Sequence, residues 1–584
     1  MYLIKKSWQS LDKKQKNYSI FIFVMMFIAM FLESLSVGII IPLISALLNY
    51  NTGESIFSKI FISYEYLGEN LIYIVMIATI IIFIIKNLIL TFNLWHQTKF
   101  LRQLQLELTN RLFKHYLKSD YIFFLQNNSG RLYRNLTDII GSFVSYTKSQ
   151  MTLISEIIIL TGIILILFYV DFLGTSLILI SAGILSLVIY FLTIKKISFF
   201  GRERNIVGAE LNKHLLQGMA AAKDVKILDR EEDLIHQVNK NLFKMTKLNQ
   251  IIQFITGLPR FSFEMLMVFI FSIIIFVMLG TKRETVDIIQ YLGVFAVASF
   301  RLVPGVSRIL SSYQVIKYIE PSVKILLSEY NFKNNLENKK IPINKKDSLL
   351  NFNKEINLKN IYFSYPSRKD FSLSKISIDI KKGDSIGIIG ETGSGKSTLV
   401  NLLIGLLEPN EGDVVVDNLN IKSNLSSWHK KIGYVPQSVY LTDDTIRKNI
   451  AFGLREENIN DDLIKKAIEK ANLKVFLNSL KDGTETVVGE KGIRISGGQQ
   501  QRIGIARALY RDPEILILDE ATSSLDQATE KKIMESVNFL KKVKTLIIIT
   551  HRLTTVQNCD KIFMFEKGKI VKQGPPNEIL NSNN

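Results

Sequence analysis

The first half of this chain of 584 residues is a series of long apolar runs separated by polar, mostly basic segments. The runs cover roughly residues 20–48, 71–92, 148–170, 172–194, 261–280 and 287–304. Each is close to or above the ~20 residues that a helix needs to cross a bilayer. The pattern therefore predicts six transmembrane helices. The first run is too long for a cleaved signal peptide and carries Glu33 and Pro42, so we expect it to stay in the membrane.

The charges that flank the runs predict their orientation. Five lysines precede the first run, whereas the segment 49–70 holds three glutamates and one lysine. The positive-inside rule then places both termini in the cytoplasm. The long basic segments 97–146 and 195–260 fall on the same side, and we expect them to be helical extensions of the spans. Their tips are predicted near Gly130–Asn135 and Lys223–Lys226.

The pattern changes after the sixth run. Residues 322–350 are hydrophilic and are predicted to be a linker, and residues 351–584 alternate strand-like runs with helical ones, as in a doubly wound α/β domain. The predicted fold class is thus a membrane α-helical domain with six spans, residues 1–321, followed by an α/β P-loop ATPase domain, residues 351–584.

Composition agrees with a membrane protein. The chain is 47% hydrophobic, yet it carries 72 Lys and Arg against 53 Asp and Glu. Basic flanks of membrane spans explain this excess more simply than a nucleic-acid partner, and none is expected. The single cysteine, Cys559, excludes an internal disulfide and is expected to be buried in a core.

A phosphate-binding loop, G-x-x-x-x-G-K-[ST], spans residues 390–397 between an apolar strand and a helix pattern. Its amides and the helix N-terminus favour a triphosphate, Lys396 is placed to reach the β- and γ-phosphates, and Ser397 is placed to bind Mg²⁺. The predicted cofactors are ATP and Mg²⁺. The residues assigned to nucleotide binding by this loop are Gly390, Glu391, Thr392, Gly393, Ser394, Gly395, Lys396, Ser397 and Thr398.

Two carboxylates end the apolar run at residues 515–518. Asp519 is predicted to hold the Mg²⁺ shell, and Glu520 to accept the proton of, or to orient, the attacking water.

The sequence Ile495-Ser496-Gly497-Gly498-Gln499-Gln500-Gln501-Arg502, between these two motifs, closely resembles the signature of ATP-binding cassette (ABC) proteins over residues 351–584, with Ile495 where leucine is usual. The resemblance implies that Tyr365 stacks on adenine, that Gln437 touches Mg²⁺ and assists catalysis, and that His551 contacts the γ-phosphate. It further implies that Ser496, Gly497, Gly498 and Gln499 bind the nucleotide held by a second subunit. A chain with one such domain and six spans is then expected to work as a homodimer.

Three membrane segments resemble PglK-type flippases of lipid-linked oligosaccharides, namely residues 31–42, 258–264 and 300–313. The resemblance implies ATP-driven movement of a polyprenyl-pyrophosphate-linked glycan across a bacterial inner membrane. Ionisable groups inside spans are costly and suggest a substrate pathway. The candidate pyrophosphate ligands are Lys86, Arg260, Arg301 and Arg308.

Several alternatives stay open at this point. Arg260 could pair with Glu264 one turn along its helix, and Lys86 or Arg308 could extend to the inner interface. Glu33 and Glu156 are interpreted as span-to-span partners rather than substrate ligands. The transported molecule could also be another lipid or a peptide, and a membrane gate that uses the cassette is a further alternative.

Overall fold

The computed structural model describes residues 12–39, 70–170, 172–280, 285–337, 350–366, 370–521 and 527–581. Its contacts divide the chain into two compact units. The first comprises residues 1–119 and 124–339, and the second comprises residues 340–584 together with residues 120–123.

The described part of the first unit is helical. The helices of residues 12–337, in chain order, are α1 Lys13–Gly38, α2 Asn70–Leu117, α3 Tyr121–Gln126, α4 Ser129–Arg134, a π-helix Asn135–Ile139, α5 Ile140–Val170, α6 Phe172–Ala220, α7 Ala222–Leu228, α8 Glu231–Gly280 and α9 Thr285–Glu337. The first half of α3, residues 121–123, groups with the second unit.

Each of the six predicted spans coincides with, or overlaps, one long helix. By length and composition, five helical segments are able to cross a membrane: α1, Tyr73–Leu117, Ser129–Tyr169, α6 and Glu231–Ile273. Helix α9, which contains the predicted sixth span, does not pass this test on its described residues. At about 1.5 Å per residue, the 49 residues of α6 extend far beyond a hydrocarbon core of ~30 Å. The predicted helical extensions are therefore present.

Helix–helix packing follows the sequence period. In α1 the buried residues Ile22, Met26, Ala29, Glu33 and Val37 recur every three or four positions and so form one face. Helices α5 and α9 make the most extensive contact of the unit. Prolines occur inside two helices, Pro259 in α8 and Pro304 and Pro321 in α9.

Two boundaries differ from the sequence prediction. The first reversal of the chain lies at residues 118–128, earlier than Gly130–Asn135, which is helical. The second reversal, near residues 221–230, includes the predicted tip. The linker begins later than residue 322, because Ser322, Val323 and Leu326 are buried on one face and carry α9 on to Glu337. Residues 338–349 lie outside the described residues.

The second unit contains two sheets with helices packed around them. Its elements are β1 Glu355–Phe363, β2 Leu373–Lys381, β3 Ser385–Gly390, α10 Lys396–Leu403, β4 Glu411–Val416, β5 Leu419–Asn420, α11 Leu425–Lys431, β6 Ile432–Val435, α12 Ile446–Ile450, α13 Asp461–Lys470, α14 Lys474–Asn478, α15 Gly497–Leu509, β7 Ile515–Asp519, α16 Gln527–Asn538, β8 Thr545–Ile549, α17 Leu553–Val556, β9 Lys561–Glu566, β10 Lys569–Gly574 and α18 Pro576–Asn581.

The larger sheet has the strand order β10-β9-β3-β8-β7-β6, and all its strands except β10 run parallel. The smaller sheet, β2-β1-β4-β5, is antiparallel. Every residue of β7 and β8 is buried, as expected for parallel strands covered on both faces. The α/β prediction is thus confirmed, and Cys559 is buried as expected. The loops at the carboxyl ends of β3, β6, β7 and β8 therefore share one edge of the sheet.

Candidate functional site

The phosphate loop joins the end of β3 to the start of α10, as the motif predicts. Gly390, Gly393 and Gly395 have φ values of +153°, +84° and +105°, a region that side-chain-bearing residues rarely occupy. At Gly390, an added Cβ would lie 2.3 Å from the carbonyl oxygen of Phe565. Glycine is therefore required at Gly390 on steric as well as conformational grounds.

Lys396 is the first residue of α10 and is only 5% exposed. Its Nζ donates hydrogen bonds to the carbonyl oxygens of Gly390 (2.7 Å) and Glu391 (2.8 Å). Burial lowers the pKa of the Lys396 ammonium, although Glu520 and Asp519 oppose this effect. A buried cation that is held only by neutral carbonyls and distant carboxylates favours an added anion. This residue set fits the phosphates of ATP.

Asp519 is the last residue of β7 and is buried. Strand β6 pairs with β7 in the sheet. The hydroxyl of Tyr434 donates to its Oδ2 at 3.1 Å. Burial raises the pKa of the Asp519 carboxyl, and the Tyr434 bond opposes that rise. No group of three or more His, Cys, Asp or Glu residues that could hold a metal ion occurs in the described ranges. A Mg²⁺ ion here would rest on Asp519, Ser397, Gln437 and phosphate oxygens, which suits its octahedral, oxygen-rich coordination.

Glu520 lies at the meeting point of the predicted catalytic residues. Its carboxylate accepts a hydrogen bond from Nε2 of Gln437 (2.8 Å), and it lies 3.9 Å from Nδ1 of His551 and 4.0 Å from Nζ of Lys396. The backbone of Glu520 has φ +47°, a strained value for a residue with a side chain. These four residues are far apart in the sequence and converge at the carboxyl edge of the sheet. A carboxylate so placed can take a proton from a water in front of the phosphates.

Tyr365 lies beside the helix that follows the phosphate loop. Its hydroxyl is 3.2 Å from Oγ1 of Thr398, and its ring packs edge-to-face on Phe363 with centroids 5.0 Å apart. The ring is thus fixed next to the loop, and its stacking on adenine stays a prediction.

Ser496 caps helix α15. Its backbone N–H donates to Oε1 of Gln499 (2.9 Å), and its hydroxyl accepts from the Gln499 N–H (3.4 Å), which forms a capping box. The amides of Gly497 and Gly498 are in the first turn. In the described parts of the chain, no hydrogen bond or ion pair joins this segment to the phosphate loop. Its predicted role on a second subunit's nucleotide stays a prediction.

Sequence reasoning missed one residue of this site, Tyr434. It lies three residues before Gln437 on the strand next to β7, so its contact with Asp519 depends on strand order, which the sequence did not reveal.

A second cluster of charges joins four long helices of the first unit, α1, α2, α5 and α9. Glu33 of α1 pairs with Lys86 of α2 (3.5 Å) and with Arg301 of α9 (3.3 Å). Glu156 of α5 is 3.6 Å from Arg301 and accepts two hydrogen bonds from Arg308, at 2.7 and 3.2 Å. We call these five residues the membrane charge cluster. It brings together three of the four predicted substrate cations, and the two glutamates join different spans, as the sequence interpretation expected.

Arg260, the fourth predicted cation, is placed differently. Its Nε donates to Glu264 at 2.9 Å, one turn along α8, and its side chain is 71% exposed. The described contacts do not connect it to the membrane charge cluster. The pairing with Glu264 that the sequence left open is therefore present, and a substrate role for Arg260 stays a prediction.

Both units match known families. Residues 18–301 match the family described as the ABC transporter transmembrane region, and residues 373–523 match the family described as ABC transporter. The chain is 30% identical over 496 residues to the ATP-dependent lipid A-core flippase of Wigglesworthia glossinidia brevipalpis, which covers 81% of each protein. It is 29% identical over 483 residues to the flippase of the same name from Photorhabdus laumondii, covering 82% of this chain and 81% of the relative.

A solved structure of a bacterial Atm1-family ABC exporter with ATP bound matches this chain with a TM-score of 0.72. The match covers 98% of this chain and 97% of that one at 20% identity, so it shows a shared fold. These similarities agree with the six long helices, the phosphate loop and the residues that converge on Glu520, all described above. The chain therefore belongs to the ABC transporter family, as a membrane-spanning half-transporter of the exporter type whose ATPase domain drives transport.

Proposed function

We propose that this transporter is a flippase for an amphipathic lipid with a phosphate-bearing head group, most specifically a polyprenyl-pyrophosphate-linked oligosaccharide, in a bacterial inner membrane. The observation that carries the proposal is the membrane charge cluster. Cations inside spans are costly, and they commonly mark a substrate path.

The charges of the cluster do not balance. Lys86, Arg301 and Arg308 carry three positive charges, whereas Glu33 and Glu156 carry two negative ones. Nε of Arg301 is buried and makes no hydrogen bond in the described structure. An excess cation with an unused donor is suited to a phosphate oxygen, which the planar guanidinium can also bind in bidentate fashion.

A lipid is supported by two further observations. The ring of Phe83 lies 4.3 Å from Nζ of Lys86. It belongs to a largely apolar face of α2 on which Ile80, Ile84 and Leu88 are exposed. A charged group at Lys86 could therefore be continuous with an apolar chain. Two relatives that match over 81% of their own length, moreover, are named ATP-dependent lipid A-core flippases.

ATP hydrolysis would drive the cycle. Mg²⁺, when bound, would neutralise phosphate charge, with Ser397, Asp519 and Gln437 as its protein contacts. Glu520 would accept the proton of the attacking water. Since Ser496 caps a helix N-terminus away from the loop of its own chain, we propose a homodimer in which this segment completes the partner's nucleotide site.

A second candidate is an exporter of another lipid, and the names of the relatives favour it. A peptide exporter remains the alternative from a different substrate class. The two lipid candidates share the phosphate-binding argument, so they are separated only by the lipid supplied.

Flipping in proteoliposomes tests the proposal. Arg301→Ala should greatly reduce flipping of a pyrophosphate-linked lipid, because it removes the cation that lies between both carboxylates, while basal ATPase activity persists. Normal flipping by a correctly inserted Arg301→Ala variant would contradict the proposed function. The sequence predicts the same loss for Arg260→Ala. Normal flipping by that variant would show that Arg260 does not bind the substrate and only pairs with Glu264.

Orientation has its own test. With both termini cytoplasmic, a cysteine at Ser55 in a Cys559→Ser background should be labelled from outside intact cells. Ser55 lies outside the described residues. Labelling only after permeabilisation would reverse the proposed topology.

A further inference from the structure

The two glutamates of the membrane charge cluster hold their cations unequally. Arg308 is bound to Glu156 by a bidentate pair of hydrogen bonds, at 2.7 and 3.2 Å. Around Glu33 the geometry is looser, since Lys86 lies at 3.5 Å and Arg301 at 3.3 Å, where Nε of Arg301 still has no hydrogen bond. Hydrogen bonds between charged groups are usually shorter, at ~2.7–2.9 Å. The Arg308–Glu156 pair is thus hydrogen-bonded, whereas the contacts of Glu33 with Lys86 and Arg301 are mainly electrostatic.

Both glutamates are nevertheless buried. The side chain of Glu33 is 8% exposed and that of Glu156 is 10% exposed, whereas their cations are 12–39% exposed. Removing the partners of a buried carboxylate is strongly unfavourable. Any ligand that takes Lys86 and Arg301 from Glu33 must therefore interact with them more strongly than Glu33 does.

We propose that Glu33 is a competing counter-anion that determines substrate specificity. This inference rests on the proposed function. The phosphate of the lipid competes with Glu33 for Lys86 and Arg301, while the Glu156–Arg308 pair stays formed and positions the site. A neutral or zwitterionic head group lacks the net charge to displace Glu33, and so the resting pairs exclude neutral and zwitterionic lipids from these cations.

A purely structural role gives the opposite expectation. If Glu33 only joined α1 to α2 and α9, its removal would destabilise the protein without strengthening lipid binding. If Glu33 competes with the substrate, its removal leaves two cations available and strengthens binding.

The experiment compares Glu33→Gln, Glu156→Gln and the wild type in phosphatidylcholine nanodiscs that contain increasing amounts of polyprenyl diphosphate. Glu329→Gln is the matched control, because Glu329 is also 10% exposed and pairs with Arg131 from another helix, outside the cluster. The readouts are the lipid concentration that gives half-maximal ATPase stimulation and the lipid-induced shift of the unfolding temperature.

Glu33→Gln should lower the half-stimulating concentration by about tenfold, the scale of one charge-assisted contact. Glu156→Gln should raise it and lower the unfolding temperature, because Arg308 loses its partner. Glu329→Gln should leave the half-stimulating concentration unchanged. Should Glu33→Gln fail to fold, Glu33→Asp keeps the charge but shortens its reach, and it should tighten binding in the same direction.

The outcomes separate this inference from the proposed function. If the wild type binds polyprenyl diphosphate and the folded Glu33 variant binds it no more tightly, the competition is refuted and the flippase proposal is unaffected. Binding by the Glu33 variant alone supports the competition. No response to polyprenyl diphosphate in any protein overturns both.

Discussion

The phosphate loop allows a quantitative test with two neighbouring glycines. Gly393 has φ +84° with open space around its Cα, so Gly393→Ala adds only the conformational cost of a left-handed residue, ~1–2 kcal/mol. Gly390→Ala meets two obstacles. Its φ of +153° is nearly restricted to glycine, at ~1–3 kcal/mol, and its Cβ would lie 2.3 Å from the carbonyl oxygen of Phe565.

That oxygen cannot retreat easily. Gly390 and Phe565 are partners in the parallel pair β3–β9, so relief of the overlap must displace either that strand pair or the loop. Overpacking of this kind costs ~1–3 kcal/mol. Together the terms give ~2–6 kcal/mol for Gly390→Ala. The overlap, which Gly393→Ala lacks, makes Gly390→Ala ~1–3 kcal/mol more costly than Gly393→Ala.

Two measurements distinguish a displaced loop from a displaced strand pair. They are the affinity for a fluorescent ATP analogue and the unfolding temperature. If the loop moves, its amides leave the phosphates and ATP affinity falls by about fivefold or more relative to Gly393→Ala, since ~1 kcal/mol corresponds to about fivefold. If the strands move instead, the unfolding temperature falls. Equal ATP affinity and equal unfolding temperature in the two variants would refute the reasoning.

Three further predictions concern catalysis, helix packing and pH. Glu520→Gln should bind ATP but not turn it over, because an amide cannot act as a base; wild-type hydrolysis would contradict the assignment. Gly201→Ala should lower the unfolding temperature, since its Cβ would lie 2.1 Å from the carbonyl oxygen of Tyr318, whereas Gly218→Ala, with a nearest atom at 3.8 Å, should be neutral or stabilising; equal melting curves would oppose this. Hydrogen bonds from Lys544 and Lys470 lower the pKa of the Asp512 carboxyl to about 2, so its stabilisation is present above the unfolded value of ~4 and is lost as pH falls toward 2. Asp512→Asn should therefore lower the free energy of unfolding by ~1 kcal/mol at pH 7, a value reduced for the solvent exposure of Asp512. The difference from the wild type should shrink below pH 4. Unfolding followed by Trp428 fluorescence measures it.

Local motifs made the ATPase domain predictable. The phosphate loop needs glycines, a lysine and a flanking strand and helix within a dozen residues, and the structure has this arrangement. Glu520 was expected from its place after an apolar strand, whereas Gln437 and His551 were expected only from the resemblance to ABC proteins. Their convergence on one carboxylate depends on the strand order, which local patterns do not encode.

The membrane half was predictable only in part. The apolar runs located the helices, and their charged residues were visible one by one. The division of Arg301 between Glu33 and Glu156 depends on how helices rotate about their axes, over separations of more than a hundred residues. The continuation of α9 past Pro321 was missed for a related reason, because the burial of Val323 and its neighbours outweighs the polar composition of the segment.

Pro304 of α9 lies between the two arginines of the membrane charge cluster. Because proline has no N–H, the carbonyl of Phe300 lacks its usual helical donor, and the helix is weakened at that point. Arg308, which follows Pro304 in the chain, is hydrogen-bonded to Glu156. Arg301, which precedes Pro304, forms ion pairs but makes no hydrogen bond through Nε. A bend at Pro304 would thus move Arg301 away from Glu33 while Arg308 stays bound to Glu156. The contacts of Arg301 could then break while the Arg308–Glu156 pair persists.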